Sequence, residues 1–465
     1  MFDPKSIDKT LRTWHKMPAG ELLNRLQVSR ATLMRALRAL GPEVLTRGHA
    51  RRTAYAARRS LRGNPSPLPL FRVDREGRGT EVASLDLVYP QGCAARFHEP
   101  FDWPLEGDMN DGWFEGIPYP LEDMRPQGFL GRHFARQHAQ LLQVGDDPQL
   151  WPEDDVLYAL SVLGADQPGN YIIGETAYRR FLAETQEDTH FLDDSEAVAS
   201  YVVSAEQAMR VGVAGSSAGG EFPKFTARRM IDGTQTHVIV KFSGADSSPG
   251  VQRWADLLVC EHLALGTVQD CLQLDASASR IYQAGGRTFL EVQRFDRHGA
   301  FGRSPVCSWS TLNHAFFGLA GKTWAAGAAA LCERGFIQET TRQAIQTIWC
   351  FGQLIANTDM HDGNLAFRPG LTLVPIYDML PMLYAPLRGI ELPQRTFTPA
   401  LPMPAELGAW QAAARAAIEF WQRAASDVRI SAPFRQICAD NTARIRALAG
   451  GAMLSTPNAS TAVFS

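Results

Sequence analysis

One stretch of the sequence, residues 351–384, restricts the fold more than any other. Its apolar beginning predicts a helix that ends at Asn357. The positions that follow hold a dense set of polar residues, namely Asp359, His361, Asp362 and Asn364. Two short apolar segments, 365–367 and 372–376, then predict a hairpin, and Asp378 comes directly after it. The chain must therefore fold so that one polar turn between a helix and a hairpin is brought close to a further carboxylate.

This order of residues is the one found in kinase active sites. A catalytic aspartate lies on a loop, an asparagine follows five residues later, and a metal-binding aspartate comes after a hairpin. We expect Asp359 to orient the substrate hydroxyl and accept its proton. Asn364 and Asp378 offer the oxygen ligands that Mg²⁺ prefers. The competing interpretation, a helix end followed by an ordinary polar turn, does not explain so many polar groups between apolar segments.

Composition limits the class of protein. The 465 residues suggest two to four domains, and the 45% hydrophobic content is that of a globular protein with a sizeable core. Because no apolar run reaches membrane-spanning length and no signal sequence opens the chain, we expect a cytoplasmic protein with no membrane partner. The seven cysteines are scattered without a CxxC pair, which favours reduced thiols over disulfides or a zinc site.

The charge of the chain is unevenly distributed. Residues 1–62 hold 14 Lys and Arg but only 4 Asp and Glu, a net charge of +10, whereas the whole chain is −3. The remaining residues therefore carry −13. A basic segment on an acidic body predicts that this segment alone meets a polyanion.

The basic segment has the pattern of a winged helix-turn-helix. Residues 20–26 and 30–40 predict two short helices joined by a tight turn, with Ser29 as the N-cap of the second. Residues 44–46 and 53–55 predict two strands around a basic tip. A DNA-binding domain of this kind would use the start of the second helix and the wing. The residues expected to contact DNA are Ser29, Arg30, Thr32, Arg35, Arg47, Arg51 and Arg52. A domain that binds another protein remains an alternative interpretation.

A Pro-rich segment, residues 63–69, predicts the boundary of this domain. We expect four segments in all. They are a winged helix-turn-helix domain (1–62), an N-terminal region with a nucleotide-binding lobe (63–300), an α-helical lobe with the catalytic loop (301–450) and a flexible tail (451–465).

Residues upstream of the catalytic run predict a nucleotide site. The run of Gly and Ser at 211–221 can bend its backbone around a phosphate, although it is not a Walker A loop. Lys241 lies in an apolar strand, where a kinase lysine grips the phosphates and is held by a helix carboxylate. The next helix, residues 251–265, offers either Asp256 or Glu261. The alternative for Lys241 is an edge-strand lysine that reaches solvent.

With these motifs in place, the chain resembles the HipA family of bacterial serine/threonine kinases. Residues 357–364 match its N-x-D-x-H-x-x-N motif, and Tyr377-Asp378 matches its metal-binding Y-D. Residues 292–297 (VQRFDR) resemble its V-E-R-F-D-R hinge, and residues 216–220 resemble its S-x-A-G-A loop. The basic N-terminal segment resembles that of the YjjJ-like subgroup, whose members carry their own helix-turn-helix.

The resemblance implies an α+β, two-lobed protein-kinase-like fold that binds ATP and Mg²⁺, with Asp359 as the catalytic base. The residues it assigns to nucleotide and metal are Ser216, Ala218, Gly219, Gly220, Lys241, Gln293, Arg294, Phe295, His361, Asp362, Gly363, Asn364, Tyr377 and Asp378. It also implies autophosphorylation of Ser216, with Ser217 as the alternative. The sequence departs from the family at Glu221, a carboxylate that would repel phosphate.

The resemblance further implies a toxin of the toxin–antitoxin type that phosphorylates an aminoacyl-tRNA synthetase. Its expected partners are that protein substrate, DNA bound through the N-terminal domain, and an antitoxin protein. Two other functions fit the sequence less well. One is a DNA-binding transcriptional regulator whose kinase-like body only senses nucleotide or a partner, and the other is a small-molecule kinase.

Overall fold

The computed structural model describes residues 2–211, 222–387, 391–392 and 394–454. Its helices are α1 (Lys5–Thr13), α2 (Ala19–Leu26), α3 (Arg30–Leu40), α4 (Gly128–Leu142), α5 (Glu153–Leu163), α6 (Glu175–Glu184), α7 (Asp194–Val211), α8 (Pro249–Leu272), α9 (Trp309–Phe316), α10 (Trp324–Glu333), α11 (Glu339–Leu354), α12 (Leu407–Ser426) and α13 (Ala432–Leu454). No helix among the residues described is both long and apolar enough to cross a lipid bilayer.

The strands are β1 (Met17–Pro18), β2 (Val44–Arg47), β3 (Ala54–Ala57), β4 (Leu68–Val73), β5 (Gly79–Leu87), β6 (Cys93–Phe97), β7 (Trp113–Phe114), β8 (Tyr171–Ile173), β9 (Lys224–Ile231), β10 (Thr234–Phe242), β11 (Ser279–Ala284), β12 (Arg287–Gln293), β13 (Arg297–His298), β14 (Gly302–Arg303), β15 (Cys307–Ser308), β16 (Ala366–Arg368) and β17 (Thr372–Leu373). Helices and sheets are both extensive, as the α+β prediction requires.

The chain divides into two compact units, and each is built from separated parts of the sequence. The first unit consists of Met1–Gln127, Phe134–Thr189 and Asp296–Cys307. The second consists of Gly128–His133, His190–Phe295 and Ser308–Ser465. This division differs from the predicted segments, because the segment predicted over residues 63–300 is shared between both units. The division depends on contacts between residues that are far apart in the sequence, and the sequence alone does not show those contacts.

The first unit begins with the segment for which the sequence predicts a winged helix-turn-helix. This segment contains helices α1, α2 and α3 and a three-stranded sheet of order β1-β3-β2, whose strand β1 lies between α1 and α2. Ser29 caps α3, since its side chain accepts a hydrogen bond from the Thr32 backbone N–H at 3.2 Å. Leu33 and Leu37 of α3 lie in one buried cluster with Leu22 of α2, as the helical spacing predicts.

This N-terminal domain shares its core with the rest of the first unit. Leu45 and Ala56 of its sheet belong to the same buried cluster as Val88, Ala94 and Trp113. The Pro-rich stretch after it therefore does not separate two independent bodies, since β4 already begins at Leu68 within the next sheet, of order β7-β6-β5-β4-β8.

Ion pairs reinforce this attachment. Asp86 of β5 is almost fully buried and pairs with Arg47 at 2.9 Å and with Arg58 at 3.2 Å. Arg62 pairs with Asp155 at 2.7 Å, and its guanidinium also lies over the Tyr158 ring. Part of the positive charge of residues 1–62 is thus neutralised inside the protein.

The end of the hinge-like motif belongs to the first unit. Arg297 is buried and donates from Nη2 to Asp166 Oδ1 at 2.6 Å and from Nη1 to the Gly169 carbonyl oxygen at 2.8 Å. Asp296 accepts from the Gly169 N–H at 3.0 Å. Asp296 and Arg297 of the VQRFDR run therefore attach their segment to Asp166 and Gly169 of the same unit.

The second unit contains a four-stranded antiparallel sheet of order β11-β12-β10-β9. Val238, Val240 and Phe242 of β10 face a buried cluster that includes Ala197 and Tyr201 of α7. Because successive side chains of a strand point to opposite faces, Lys241 lies on the other face from Val240. Helices α9 to α13 follow in the sequence.

Arg229 of β9 forms the centre of a buried network that we call the arginine cluster (Asp194, Tyr201, Arg229, Tyr282 and Glu291). Its guanidinium is fully buried and donates to Glu291 Oε2 at 2.8 Å, to Asp194 Oδ1 at 2.5 Å and to the Tyr282 hydroxyl at 3.2 Å. It also donates to the Leu192 carbonyl oxygen at 2.6 Å, and Tyr201 donates its hydroxyl to Glu291. The cluster therefore joins α7 to the sheet.

Candidate active site

Lys241 is buried and held by two carboxylates, as expected for a phosphate-binding lysine. Its Nζ lies 2.7 Å and 2.9 Å from the two carboxylate oxygens of Glu261 in α8, and it also donates to Asp378 Oδ1. We call these three residues the lysine cluster. The cluster decides between the two predicted partners, because Glu261 pairs with Lys241.

Asp256 has a different role. It lies more than one helical turn before Glu261 in α8 and accepts from the Ser431 N–H at 2.7 Å and from the Ser431 hydroxyl at 2.6 Å. Burial raises the pKa of its carboxyl group, although the bonds from Ser431 oppose that rise. Asp256 thus connects α8 to the start of α13 and does not contact the lysine.

The electrostatics of the lysine cluster keep Lys241 charged. Burial opposes the ammonium charge, but Asp378 and Glu261 outweigh it and raise the pKa of Lys241. Burial also opposes the charge on Asp378, yet Lys241 and Lys224 outweigh it and lower the pKa of Asp378 to about 2. Burial of Glu261 prevails over the attraction of Lys241 and raises the pKa of that carboxyl to about 7. Of the two carboxylates, Asp378 is consequently the one that stays ionised.

The catalytic loop follows α11 directly, and two backbone features fix its start. Ala356, two residues after the last residue of α11, has a φ of 60°, in the left-handed region that non-glycine residues seldom adopt. Gly352 lies in the last turn of α11, where a Cβ atom would come 2.1 Å from Met360 Sδ. The glycine therefore lets the loop pack against the helix.

Asn357 connects the two halves of the site. Its Oδ1 accepts from the Asp359 N–H at 3.0 Å, and its Nδ2 lies 3.4 Å from the Asp378 carbonyl oxygen. Asn364 Nδ2 in turn donates to the Asp359 carbonyl oxygen at 2.9 Å. Both sides of Asp359 are thus positioned by amide side chains. The sequence motif contains Asn357, but the sequence alone did not assign it this function.

His361, Asp362 and Gly363 stabilise the loop. His361 Nδ1 accepts from the Gly363 N–H at 3.1 Å, and the His361 carbonyl oxygen accepts from Trp324 Nε1 at 3.2 Å. Asp362 accepts from Asn313 Nδ2 at 2.9 Å. These contacts organise the loop around His361, and neither Asn313 nor Trp324 was recognisable from the sequence.

The segment that carries Asp378 is attached to both the sheet and the loop. Ile376 pairs in parallel with Ala276, which precedes β11. The Tyr377 hydroxyl donates to the Gly363 carbonyl oxygen at 2.8 Å. Asp378 itself has a φ of 53°, a strained conformation for a residue with a side chain. Strain of this kind is common where a side chain must be aimed at a ligand.

The donor atoms suit Mg²⁺. Because Asn364 Nδ2 is used by Asp359, its Oδ1 is the atom that faces a cation, and Asp378 offers a carboxylate. These are hard oxygen ligands, which Mg²⁺ accepts together with phosphate oxygens and water. The described part of the chain holds no cluster of three or more His, Cys, Asp and Glu residues that could bind a metal by itself. A metal here would depend on the nucleotide for its remaining ligands.

The predicted hinge lies at the end of β12. The N–H groups of Gln293 and Arg294 donate to the carbonyl oxygens of Ala278 and His237, at 2.8 Å and 2.9 Å. An adenine could not use those two N–H groups. The Phe295 ring lies 5.5 Å from that of Tyr377, which places an aromatic pair beside the Asp378 segment.

The predicted phosphate loop lies outside the described residues. This applies to Ser216, Ser217, Ala218, Gly219 and Gly220 and to the autophosphorylation assigned to the first of them. Lys224, at the start of β9, pairs with Lys241 in the sheet register and lowers the pKa of Asp378. It therefore adds positive charge at the same end of the sheet.

The residues predicted to contact DNA differ in their surroundings. Ser29, Arg30, Arg35 and Arg51 are exposed, and Thr32 is half-buried. Arg52 is also exposed, with Asp111 Oδ1 3.5 Å from its guanidinium. Arg47 is the exception, since it is mostly buried and paired with Asp86. Apart from Arg47, the predicted arginine contacts are therefore exposed, and they lie on α3 and between β2 and β3.

Comparison with known proteins identifies the family. Residues 64–182 match the model of the YjjJ-like toxin middle domain, and residues 216–447 match that of the HipA-like C-terminal domain. The chain is 36% identical over 431 residues to Toxin YjjJ of Escherichia coli (strain K12), which covers 92% of this chain and 94% of that protein.

Two solved structures are more distantly similar. A chain of the Shewanella oneidensis MR-1 complex of HipA, HipB and operator DNA has a TM-score of 0.49 at 12% identity, covering 83% of this chain and 97% of that one. The Helicobacter pylori proinflammatory kinase CtkA has a TM-score of 0.37 at 12% identity, covering 52% of this chain and 95% of that one. Assignment to a family rests on the sequence relatives: the chain belongs to the HipA-like family, with its kinase-like fold, in the YjjJ-like toxin group.

Proposed function

We propose that this protein is an ATP- and Mg²⁺-dependent serine/threonine protein kinase that acts as a toxin. The observation that carries the proposal is the lysine cluster, in which Lys241 is buried between Glu261 and Asp378. A buried ammonium held by two carboxylates, one of them on the segment joined through Asn357 to Asp359, matches the requirements of phosphoryl transfer. A purely structural ion pair would not need that connection.

Each residue of the site has a chemical role in this proposal. Asp359 orients the hydroxyl group of the acceptor and takes its proton. Lys241 binds phosphate oxygens of ATP, and Glu261 holds the lysine in position. Asn357 keeps Asp359 and Asp378 in register, because its amide contacts the backbone of both.

Asn364 and Asp378 would hold Mg²⁺. When bound, the metal ion offsets the charge that develops on the transferred phosphoryl group. The protein contributes a fixed pair of oxygen ligands, since Asn364 is oriented by its bond to Asp359 and Asp378 by its contact with Lys241.

The relatives support a cellular role for this activity. The curated relative bears the name Toxin YjjJ, and the HipA of the Shewanella complex is described as part of a toxin–antitoxin system. We extend this to a cytoplasmic toxin whose substrate is a protein of translation, such as an aminoacyl-tRNA synthetase. An antitoxin protein would then be a binding partner.

Labelling of a cell extract tests the kinase activity. Purified protein is incubated with γ-labelled ATP, Mg²⁺ and extract, beside the Asp359→Ala variant. We expect labelled protein with the wild type alone, because the variant lacks the base. An absence of label on every protein, the kinase included, would contradict the proposal and favour a body that only senses nucleotide.

We also propose that the N-terminal domain binds DNA. Arg30, Arg35 and Arg51 are exposed, and no ion pair among the described residues engages them. They lie at the start of α3 and at the wing, where a winged helix-turn-helix approaches the major groove and the adjoining phosphates. The HipA of the Shewanella complex is described together with operator DNA.

Salt dependence of DNA binding tests this interface in the full-length chain. Replacing Arg30 and Arg35 by Ala should weaken binding and reduce the slope of log K against log salt by about 0.9 for each phosphate that the variant no longer neutralises. Arg25→Ala is the matched control, since Arg25 is exposed on α2 but paired with Glu21 at 3.0 Å. An unchanged slope in the double variant would remove these residues from the interface.

A further inference from the structure

A cavity of about 680 Å³ opens beside the catalytic loop of the second unit. Its wall is formed by the end of α11, the catalytic loop and the segment before α12. The lining residues on which the argument rests are Trp349, Asp359, Met360, Leu383, Phe397 and Ala400. Asp359, the proposed base, is thus part of the cavity wall.

The charge of the wall excludes a phosphate site. Of the described residues that line the cavity, only Asp359 and His361 are titratable, and none is Lys or Arg. A triphosphate needs cationic partners, and Lys241 lies elsewhere, in the lysine cluster with Asp378. The cavity therefore adjoins Asp359 without offering the cationic partners that a phosphate site needs.

The cavity is larger and less polar than a hydroxyl group requires. A water molecule occupies about 30 Å³, whereas this volume is that of a pocket for a whole side chain or more. Trp349, Met360, Leu383 and Phe397 give it apolar surface. Further along the same segment, Leu401 and Met403 are 69% and 66% exposed. Both side chains add apolar surface to the segment that forms the outer wall of the cavity.

The outer wall of the cavity is held in place by the helices behind it. Trp410 Nε1 donates to the Ala400 carbonyl oxygen at 3.1 Å, and the Phe397 carbonyl oxygen lies 3.4 Å from Arg444 Nη1. The Phe397 ring also lies 6.3 Å from the Trp421 ring. A wall fixed at these points can discriminate between acceptors by shape.

We propose that this cavity is the acceptor pocket and that it takes a large apolar side chain next to the serine or threonine of an extended protein segment. The inference rests on the proposed kinase function and specifies its substrate class. Asp359 faces the acceptor hydroxyl, while Trp349 and Phe397 contact the neighbouring apolar residue. Charged neighbours are disfavoured because the wall offers no Lys or Arg and only one fixed carboxylate.

Peptides of defined composition test the pocket. The full-length protein is incubated with γ-labelled ATP, Mg²⁺ and peptides that carry one central serine, in which the flanking residues are Leu or Phe, Ala, Lys or Asp. We expect kcat/KM for the Leu and Phe peptides to exceed that for the Ala peptide by at least ~10-fold. An equal rate for all peptides, or a preference for charged neighbours, would overturn the proposal while leaving the kinase function intact.

A charge placed in the wall sharpens the test. Ala400 is exposed and lines the cavity, so Ala400→Asp should lower kcat/KM for the Leu and Phe peptides by at least ~10-fold and favour the Lys peptide. Ala443→Asp, an exposed position of α13 outside the cavity, is the control. The KM for ATP is measured for each variant. Unchanged peptide selectivity in Ala400→Asp would overturn the proposed pocket.

Two further outcomes are decided by mapping phosphorylation sites in extract proteins. The first outcome is that extract proteins are labelled but peptides are not. Phosphorylation sites flanked by Leu, Ile, Phe, Met or Trp would then support the pocket, and phosphorylation sites without such neighbours would overturn it. If neither is labelled, the kinase proposal fails and the acceptor pocket fails with it, a result distinct from kinase activity without selectivity.

Discussion

The second unit holds two buried cations on neighbouring strands, and the protein uses them differently. Arg229 in β9 is fully buried, and Lys241 in β10 is 6% exposed. In the arginine cluster, protein groups accept from all three guanidinium nitrogens, including Glu291, whose side chain is 3% exposed. In the lysine cluster, Asp378 keeps 32% of its side chain exposed. Each cluster keeps one carboxylate partly exposed, since the Asp194 side chain is 68% exposed. The clusters differ because Asp378 is also joined through Asn357 to the loop that holds Asp359.

The comparison teaches how to separate a structural buried charge from a functional one. Burial and pairing are common to both clusters, so neither property identifies an active site. What distinguishes Lys241 is that one of its partners has a strained backbone, with Asp378 at a φ of 53°, and is joined through Asn357 to a catalytic loop. The arginine cluster has no such connection in the contacts of the residues described.

The largest expected effect is on folding. Arg229→Met should lower the free energy of unfolding by about 3–5 kcal/mol, because Glu291 would be left buried without its cation. Urea denaturation measures the loss. Arg280→Met is the matched control: Arg280 also approaches Asp194, at 3.6 Å, but it is 37% exposed and should contribute less than about 1 kcal/mol. Equal losses for the two variants would remove the distinction between the buried and exposed arginines.

The next effect is on catalysis. Lys241→Met should reduce phosphoryl transfer by on the order of 10²–10³-fold, as expected when one positioned donor to the transferred group is lost. The cost in unfolding free energy should be smaller than that of Arg229→Met, because the pKa of Glu261 is about 7 and its carboxyl group can accept a proton. If Lys241→Met lost as much unfolding free energy as Arg229→Met and still transferred phosphoryl groups when folded, the assignment of Lys241 to catalysis and of Arg229 to folding would be reversed.

Replacement of the two carboxylates of α8 separates their functions. Glu261→Gln should impair transfer, because Lys241 loses the ion pair that positions it. Asp256→Asn should leave transfer per folded molecule unchanged and cost about 1–3 kcal/mol of unfolding free energy, since one acceptor of the Ser431 hydrogen bonds is removed. Transfer rates normalised to folded protein, together with urea denaturation, distinguish these results. If Asp256→Asn impaired transfer and Glu261→Gln did not, the functions of the two carboxylates would have been exchanged.

The sequence pattern that predicts the catalytic loop is local. The spacing of Asp359 and Asn364 and the helix before them are contained in a short segment, and the structure keeps them on one loop. The same is true of α2, α3 and the Ser29 cap, whose helical spacing and N-cap chemistry need no distant residue. Lys241 was recognised because a lysine in an apolar strand requires a partner.

The remaining features depend on contacts between residues far apart in the sequence. Arg229, like Lys241, is a cationic residue in a strand. Its partners Asp194 and Glu291, however, lie 35 and 62 residues away in the sequence. To choose between Asp256 and Glu261 as the partner of Lys241, one must know which face of α8 meets the sheet. The burial of Arg47 against Asp86 required knowledge of a core shared beyond the Pro-rich stretch. Sequence periodicity contains none of these distances.

The smallest effect concerns pH. The pKa of Glu261 is about 7 in the folded protein, above its ordinary 4.5, so its stabilising contribution is complete below pH 4.5 and is lost as the pH rises through 7. Unfolding free energies of the wild type and Glu261→Gln are compared from pH 5 to 8. The wild-type value minus the variant value should fall up to about pH 7 and then level off. A difference that does not vary with pH would show that Glu261 titrates normally.

The affinity for Mg²⁺-ATP tests most directly whether the lysine cluster serves a ligand. Titration calorimetry is performed at one pH and salt concentration on the wild type, Lys241→Met and Arg280→Met, each shown to be folded by its urea transition. We expect the wild type and Arg280→Met to bind alike and Lys241→Met to bind at least ~10-fold more weakly, since a charge-assisted bond to phosphate is lost. Wild-type affinity in Lys241→Met would contradict the account.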